Sequence, residues 1–155
     1  MENKIRWGIL GTGRIARAFA EGLKYTQNAE LIAIASRTLE SAQSFANEWQ
    51  IPHAFGSYEE LAESELLDAV YIATPHTEHV KNAILCMEKR KAVLCEKPLA
   101  VNAAEVGKMI QEAKKQDVLL MEGMWSRFPP LMHEVRRLIK ENEIGEIRTI
   151  HADFG

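Results

Sequence analysis

The chain of 155 residues is 46% hydrophobic and 26% charged, a balance that is ordinary for a soluble globular protein with a real core. Its formal net charge of −3, with no basic stripe along the sequence, argues against nucleic acid as a partner. No apolar run approaches the ~20 residues that span a bilayer, so no membrane partner is expected.

The N-terminus and the cysteines both favour a reducing compartment. The opening "MENKIRWGIL" enters a strand directly and has no signal-peptide pattern. Cys86 and Cys95 lie in apolar surroundings without CxxC spacing, which is typical of buried free thiols. We therefore expect a cytoplasmic location.

Short apolar runs alternate with amphipathic segments along most of the chain, a pattern typical of β-α-β units and a parallel sheet. Strands are predicted at residues 5–10, 30–35, 69–73, 92–95 and 118–121, with a short edge strand at 53–55. Helices are predicted at residues 14–24, 39–49, 58–62, 78–89 and 103–115. The elements predict an α/β fold with a doubly wound parallel sheet, a Rossmann domain, over residues 1–123.

Capping residues mark the start of two of these helices. Asn102 precedes "AAEV", with Glu105 three residues later, which is an Asn variant of the capping box. Thr77 is predicted to play a similar part for the helix at 78–89.

The pattern changes after Glu122, where a double proline marks a break. An amphipathic helix is predicted near residues 131–140, followed by a strand at 146–154. A single strand cannot bury its apolar side chains alone. Residues 124–155 are therefore expected to be the connecting helix and the first strand of a second, α+β open-sheet domain. This domain would serve substrate binding and dimerisation, and it is expected to be truncated here.

A glycine-rich turn follows the first predicted strand. Gly11, Gly13 and Ala16 match G-x-G-x-x-A, in which the first glycine permits a tight turn and the second lets the backbone approach a pyrophosphate. The following helix offers free N–H groups to the phosphates, and the strand before it completes the required context. The alternative is a tight turn without a ligand. The predicted cofactor contacts here are Gly11, Thr12, Gly13, Arg14 and Ile15.

The end of the second strand predicts which dinucleotide binds. An NAD site usually has an acid there to accept hydrogen bonds from the ribose 2′-OH, but this chain has Ser36, Arg37 and Thr38. Hydroxyl groups and a guanidinium would bind a 2′-phosphate, which an acid would repel. NADP is therefore favoured over NAD. The alternative is that Arg37 is a solvated loop residue.

The strand at 69–73 leads into "TPHTEH", where Thr74 and Pro75 turn the chain and His76 and His79 stand at a helix start. The spacing of the two histidines could hold a metal, but no third ligand lies in register, so no metal site is predicted. We expect these four residues to contact cofactor or substrate. The alternative is a plain capping role.

"AVLCEKPLA" ends an apolar strand with Glu96, Lys97 and Pro98. The carboxyl ends of parallel strands meet at one edge of the sheet, where ligands bind, and a residue before proline is held extended. Lys97 is thus expected to point towards a nicotinamide ring and to serve as the catalytic residue, with Glu96 beside the cofactor. The alternative is a surface Glu–Lys pair.

Four stretches in order, "GTGRIA", "ATPHTEH", "CEKPLAVNAAEV" and "MEGMWSRFPP", make the chain resemble the glucose-fructose oxidoreductase and inositol dehydrogenase (Gfo/Idh/MocA) family. The resemblance covers essentially the whole chain, and "EKP" after a strand is its most specific element. Within the family, "VLCEKP", "NAAEV" and "W-x-RF" are most similar to the dimeric dihydrodiol dehydrogenases, also described as NADP-linked D-xylose dehydrogenases.

The resemblance implies roles for particular residues. Lys97 takes the catalytic position and Arg37 that of the arginine on the NADP phosphate, while Ser41 replaces a second basic residue of those dehydrogenases. Positions that line the cofactor and its nicotinamide are matched by His79, Trp125 and Arg127. Positions that line the substrate pocket are matched by His79, Trp125 and Phe154.

The function expected is an NADP(H)-dependent oxidoreductase that interconverts a secondary alcohol and a ketone on a sugar or dihydrodiol. The resemblance also implies a second domain, which supplies the substrate pocket, a proton-transfer group beyond Gly155 and a homo-oligomer contact. This chain alone is then expected to bind cofactor without dehydrogenase activity. The alternative is a non-catalytic nucleotide-binding sensor, which would have no need of Lys97 at the nicotinamide.

Overall fold

The computed structural model describes residues 4–153 and contains a six-stranded sheet in which every neighbouring pair is parallel. The order of the strands is β3-β2-β1-β4-β5-β6, which confirms the doubly wound Rossmann arrangement. The strands are β1 (Ile5–Leu10), β2 (Ala29–Ala35), β3 (His53–Phe55), β4 (Ala69–Ile72), β5 (Ala92–Glu96) and β6 (Leu120–Gly123).

The helices also agree with the amphipathic segments of the sequence. They are α1 (Arg14–Leu23), α2 (Leu39–Trp49), α3 (Tyr58–Glu63), α4 (His79–Glu88), α5 (Ala103–Gln116) and α6 (Pro130–Lys140), with short 3-10 turns at His76–Glu78 and Trp125–Arg127. Within the described part of the chain, no helix combines the length and the apolar character needed to cross a membrane.

Two sequence predictions about element starts are wrong. The predicted strand at 118–121 begins at Leu120, because Asp117 adopts a left-handed conformation and the Val118 N–H closes the end of α5 on Ala113 O at 3.1 Å. The predicted helix at 78–89 begins as a 3-10 turn that contains Thr77, and α4 has no side-chain cap.

The sheet is buried on both faces. Alternate strand residues such as Leu10 and Ile72 pack with α3, α4 and α5, while their neighbours Ile9 and Tyr71 pack with α1 and α2. All four residues of β4 are buried, as expected for a central parallel strand.

The two thiols belong to the core between the sheet and α4, which confirms the predicted buried free cysteines. Cys86 on α4 and Cys95 on β5 are both fully buried. Burial raises the pKa of each thiol to about 12, so both stay protonated.

Among residues 4–153, three helices begin with a side-chain cap. The Asn102 side chain accepts a hydrogen bond from the Glu105 N–H at 2.9 Å, as the sequence predicts. Ser57 caps α3 in the same way, at 3.2 Å. Thr38 caps α2 through the Ser41 N–H at 3.3 Å.

The chain divides into two compact units at the boundary between Gly123 and Met124. In the second unit, the Arg136 side chain donates to Arg127 O at 2.8 Å and so joins α6 to the preceding 3-10 turn. Arg137 on α6 forms ion pairs with the three carboxylates of Glu134, Glu141 and Glu143.

The strand predicted at 146–154 is absent from its described part, residues 146–153, which have no regular secondary structure. Residues that favour β-structure do not form a strand by themselves, because a strand needs a neighbouring strand for its backbone hydrogen bonds. None of the described residues provides one.

The cap of α5 yields a stability prediction. Asn102→Ala should lower the free energy of unfolding by about 1 kcal/mol, because the Glu105 N–H loses its partner. Urea denaturation measures the change. Gln111→Ala, in the exposed middle of the same helix, is the control. It should change the free energy of unfolding little, since glutamine and alanine both favour helix. Equal effects of the two substitutions would contradict the cap.

Candidate functional site

A cleft of about 800 Å³ opens at the carboxyl ends of β1, β2 and β4. The strand order reverses between β1 and β4, and such a switch point is where open parallel sheets bind ligands. The cleft is lined by Gly11, Thr12, Gly13, Arg14, Ile15, Ser36, Arg37, Tyr58, Ala73, Thr74, Pro75, Thr77 and Glu78.

Gly11 brings the turn after β1 against the end of β4. Its φ is +99°, and a Cβ there would lie 2.9 Å from Ala73 O. Its N–H donates to Ala35 O at 2.9 Å, while the Ala73 N–H donates to Leu10 O at 2.9 Å. Only glycine combines this conformation with this close approach.

Gly13, unlike Gly11, has open space where a side chain would lie. A Cβ built on it meets nothing within 4 Å, so its face is open to the cleft. It is the N-cap of α1, whose first turn has no acidic residue and no side-chain cap. The free N–H groups and the positive end of the helix dipole therefore suit an anion such as a pyrophosphate.

Two cations line the cleft without a carboxylate partner. Arg14 and Arg37 are exposed, and neither is in an ion pair with another residue of the described range 4–153. Arg17, which does not line the cleft, pairs with Glu48 at 2.8 Å. With two arginines and one carboxylate, that of Glu78, the lining of the cleft has a net positive charge.

The residues predicted after β2 divide between two roles. Ser36 is buried and lines the cleft next to Arg37, and its N–H donates to Phe55 O at 3.2 Å. Thr38 does not line the cleft: its hydroxyl caps α2 and donates to Ser41 Oγ at 2.9 Å. Threonine often caps the start of a helix, and a sequence motif alone does not distinguish this role from contact with a ligand.

Four residues that no sequence motif predicted also line the cleft: Tyr58, Ala73, Thr77 and Glu78. Tyr58 lies at the start of α3 and is half buried; burial raises its pKa, while the charge of Arg37 acts in the opposite direction. Glu78 is the one carboxylate in this lining. The capping Ser57 marks the start of α3 in sequence, but no motif connects that helix with the cleft.

His79 does not line the cleft. It is 1% exposed, with Nδ1 at 2.8 Å from Pro98 O and Nε2 at 3.0 Å from Thr74 O. Because both ring nitrogens face carbonyl oxygens, the residue joins the end of β4 to the "EKP" turn. His76 is exposed in the 3-10 turn and is also outside the lining.

A buried amide extends this connection. Asn82 on α4 is 1% exposed and donates from Nδ2 to Thr74 Oγ1 at 3.1 Å. Thr74 therefore has its hydroxyl held by Asn82 and its carbonyl by His79, while the residue itself lines the cleft.

Glu96, Lys97 and Pro98 leave the sheet at the same edge, but on the far side of β4 from the Gly11 turn. The Lys97 N–H donates to Glu96 Oε2 at 3.2 Å, and the Leu99 N–H donates to Glu122 Oε1 at 2.9 Å. The Lys97 side chain is exposed and has no ion pair with another residue in the range 4–153, and the Lys97–Pro98 peptide bond is cis. Neither Glu96 nor Lys97 belongs to the cleft lining.

The remaining predicted residues lie outside the first unit. Trp125 and Arg127 form the 3-10 turn of the second unit, and their predicted contact with the cofactor stays a prediction. Phe154 lies outside the described residues, so its assignment to a substrate pocket also stays a prediction.

A family model described as "Oxidoreductase family, NAD-binding Rossmann fold" (GFO_IDH_MocA) matches residues 5–124. The chain therefore belongs to the Gfo/Idh/MocA oxidoreductase family, as the motifs predicted. The sheet order and the glycine turn agree with the Rossmann fold in that description.

Similar proteins within the family are named trans-1,2-dihydrobenzene-1,2-diol dehydrogenase. The chain is 44% identical to the one from Danio rerio over 153 residues and 45% identical to the one from Mus musculus over 153 residues. Each match covers 97% of this chain and 46% of the relative. The chain thus spans a little less than half the length of these relatives.

Solved structures share the fold. A 3-ketoreductase from Actinomadura kijaniata, in complex with NADP and TDP-benzene, is 31% identical with a TM-score of 0.87, covering 94% of this chain and 45% of that one. A probable dehydrogenase from Thermotoga maritima is 33% identical with a TM-score of 0.86, covering 91% of this chain and 42% of that one.

The two glycines of the turn should respond differently to alanine. Gly11→Ala forces a side chain into a left-handed conformation and against Ala73 O, so we expect a loss of about 2 kcal/mol or more in the free energy of unfolding. Gly13→Ala, the matched control, has open space and should cost less than about 1 kcal/mol. Urea denaturation measures both, and equal losses would contradict the close approach of Gly11 to β4.

Proposed function

We propose that the protein containing this chain is an NADP(H)-dependent oxidoreductase, which transfers a hydride between the nicotinamide and the carbon of a secondary alcohol or ketone on a sugar or dihydrodiol. The chain supplies the cofactor-binding half. The observation that carries the proposal is Arg37, which has no ion pair with another residue of the range 4–153 and lies next to the buried Ser36, in a cleft whose glycine turn and helix start suit phosphates.

The residues present fit a dinucleotide with an extra phosphate. Gly13 and the start of α1 receive the pyrophosphate, because that face is open and its N–H groups are free. Ser36 and Arg37 receive the 2′-phosphate through a hydroxyl and a forked cation. Since no acid stands at the end of β2, NAD loses its usual ribose partner.

Lys97 acts at the other end of the bound cofactor. When bound, NADP supplies the hydride acceptor or donor at nicotinamide C4. Lys97 extends from the carboxyl end of β5, next to β4, and its Nζ holds the reacting oxygen of the substrate and shares its proton. The turn at Glu96–Pro98 keeps this side chain at the edge of the sheet where the cleft opens.

The relatives support an enzyme rather than a sensor. The dihydrodiol dehydrogenases at 44% and 45% identity support a cyclic diol or sugar as substrate. The NADP complex of the 3-ketoreductase at 31% identity supports NADP as the cofactor. The predicted homo-oligomer and the compartment stay predictions.

The cofactor preference follows from Arg37. The chain should bind NADPH at least about tenfold more tightly than NADH, since a charge-assisted hydrogen bond contributes ~1.5–3 kcal/mol. Arg37→Ala should reduce this ratio towards one. Fluorescence titration of both cofactors measures the ratio.

Lys108→Ala, on α5 outside the cleft, removes the same charge and serves as the control; it should leave the preference unchanged. Equal affinity of the unaltered chain for NADPH and NADH would overturn the preference. An unchanged ratio in Arg37→Ala would assign the preference to other residues.

The catalytic role of Lys97 is tested in the longer protein that contains this chain together with a substrate-binding domain. Lys97→Met should lower turnover about 100-fold or more, because it removes the group that transfers the proton. Binding of NADPH should survive, since the phosphate contacts are elsewhere. Steady-state kinetics and a cofactor titration measure the two quantities.

Lys108→Met provides the matched control, because it makes the same change on an exposed helix face. Turnover close to the unaltered value in Lys97→Met would return Lys97 to a surface role. Loss of NADPH binding in the same variant would mean that Lys97 acts in binding.

A further inference from the structure

Tyr71 is a core residue with a fixed ring. It is 3% exposed on β4, and its ring stacks on Phe19 with 3.9 Å between centroids and 14° between planes. Phe19 meets Trp7 edge-on at 5.3 Å. Since aromatic neighbours restrict the ring, the phenol hydroxyl is held in one place.

The strand register brings this hydroxyl to Glu96. Tyr71 pairs with Leu94 on β5, and Glu96 follows two residues later on the same face of the sheet. Neighbouring strands lie ~4.8 Å apart and residues two apart on one strand ~6.6 Å apart, so this diagonal is within reach of a tyrosine. The hydroxyl donates a hydrogen bond to Glu96 Oε1. Gly123, opposite Glu96 on β6, adds no side chain that competes for this space.

The carboxylate of Glu96 connects the core with the backbone of Lys97. While Oε1 accepts from Tyr71, Oε2 accepts from the Lys97 N–H at 3.2 Å. Burial and the charge of Glu96 raise the pKa of Tyr71 far above its usual range, so the phenol stays a donor. Tyr71, which does not line the cleft, is thus connected through Glu96 to the main chain at Lys97.

We propose that Tyr71 is a positioning residue, which acts through Glu96 to fix the backbone from which the Lys97 side chain extends. The inference rests on the proposed role of Lys97 at the nicotinamide. If Tyr71 only fills the core, removal of its hydroxyl changes stability and nothing specific to Lys97.

Amide hydrogen exchange on the 155-residue chain tests the backbone part of the inference. In Tyr71→Phe the Lys97 N–H should exchange about tenfold faster, because its acceptor is no longer held. The amides of Val70 and Ile72 report whether the sheet remains intact. Tyr25→Phe is the matched control: its hydroxyl donates to Glu21 Oε1 at 3.2 Å, but the residue is 81% exposed and should not affect Lys97.

Cofactor binding tests the side-chain part. An ammonium group near the nicotinamide disfavours the positively charged oxidised ring, so the ratio of NADPH to NADP⁺ affinity reports where Lys97 lies. Lys97→Met should lower this ratio, and Tyr71→Phe should lower it about threefold or more. Affinity for 2′,5′-ADP, which lacks the nicotinamide, should stay the same in both variants.

Unchanged exchange of the Lys97 amide in folded Tyr71→Phe would overturn the inference. The inference would also be overturned if the Lys97 amide exchanged faster in Tyr71→Phe while the ratio of NADPH to NADP⁺ affinity stayed the same, provided that Lys97→Met lowers that ratio. If Lys97→Met leaves the ratio unchanged, the proposed role of Lys97 fails, and the exchange measurement alone decides on Tyr71.

Glu96→Ala provides a second route if Tyr71→Phe does not fold. It removes both carboxylate oxygens, so the Tyr71 hydroxyl and the Lys97 N–H both lose their acceptor. Faster exchange of the Lys97 amide in this variant supports the inference, and unchanged exchange overturns it.

Discussion

Gly11 adopts a φ of +99°, and a Cβ at this position would lie 2.9 Å from the Ala73 carbonyl oxygen. The turn after β1 can therefore lie against the end of β4 only because residue 11 has no side chain. This contact stands where the strand order reverses, so it determines where the cleft opens and where α1 begins. Gly13, Arg14 and Arg37, which we propose to bind the cofactor phosphates, line the cleft beside this contact.

Buried polar groups hold the other end of the candidate site. The "EKP" turn is tied to β4 by Tyr71, to α4 by His79 and to β6 by Glu122. Unpaired buried polar groups are costly, and here the Tyr71 hydroxyl donates to Glu96 while the Leu99 N–H donates to Glu122. The exposed Lys97 side chain thus stands on a backbone that three elements restrain.

Sequence patterns predicted the sheet, the glycine turn and the cleft cations, because each depends on local chemistry: apolar periodicity, a required glycine, an absent acid. They did not predict that His79 lies between two carbonyl oxygens or that Tyr58 lines the cleft. Those facts depend on contacts between elements far apart in sequence. The strand predicted at 146–154 failed in its described part for a related reason, since pairing requires a partner that composition does not supply.

We propose that the cleft and Lys97 form one site at the carboxyl edge of the sheet. A crystal structure of the chain with NADPH would test this. We expect the pyrophosphate at Gly13 and the start of α1, the 2′-phosphate on Arg37, and the nicotinamide ring beside the Lys97 ammonium group. A dinucleotide bound with its nicotinamide away from the end of β5, or outside the cleft, would show that the cleft and Lys97 do not form one site.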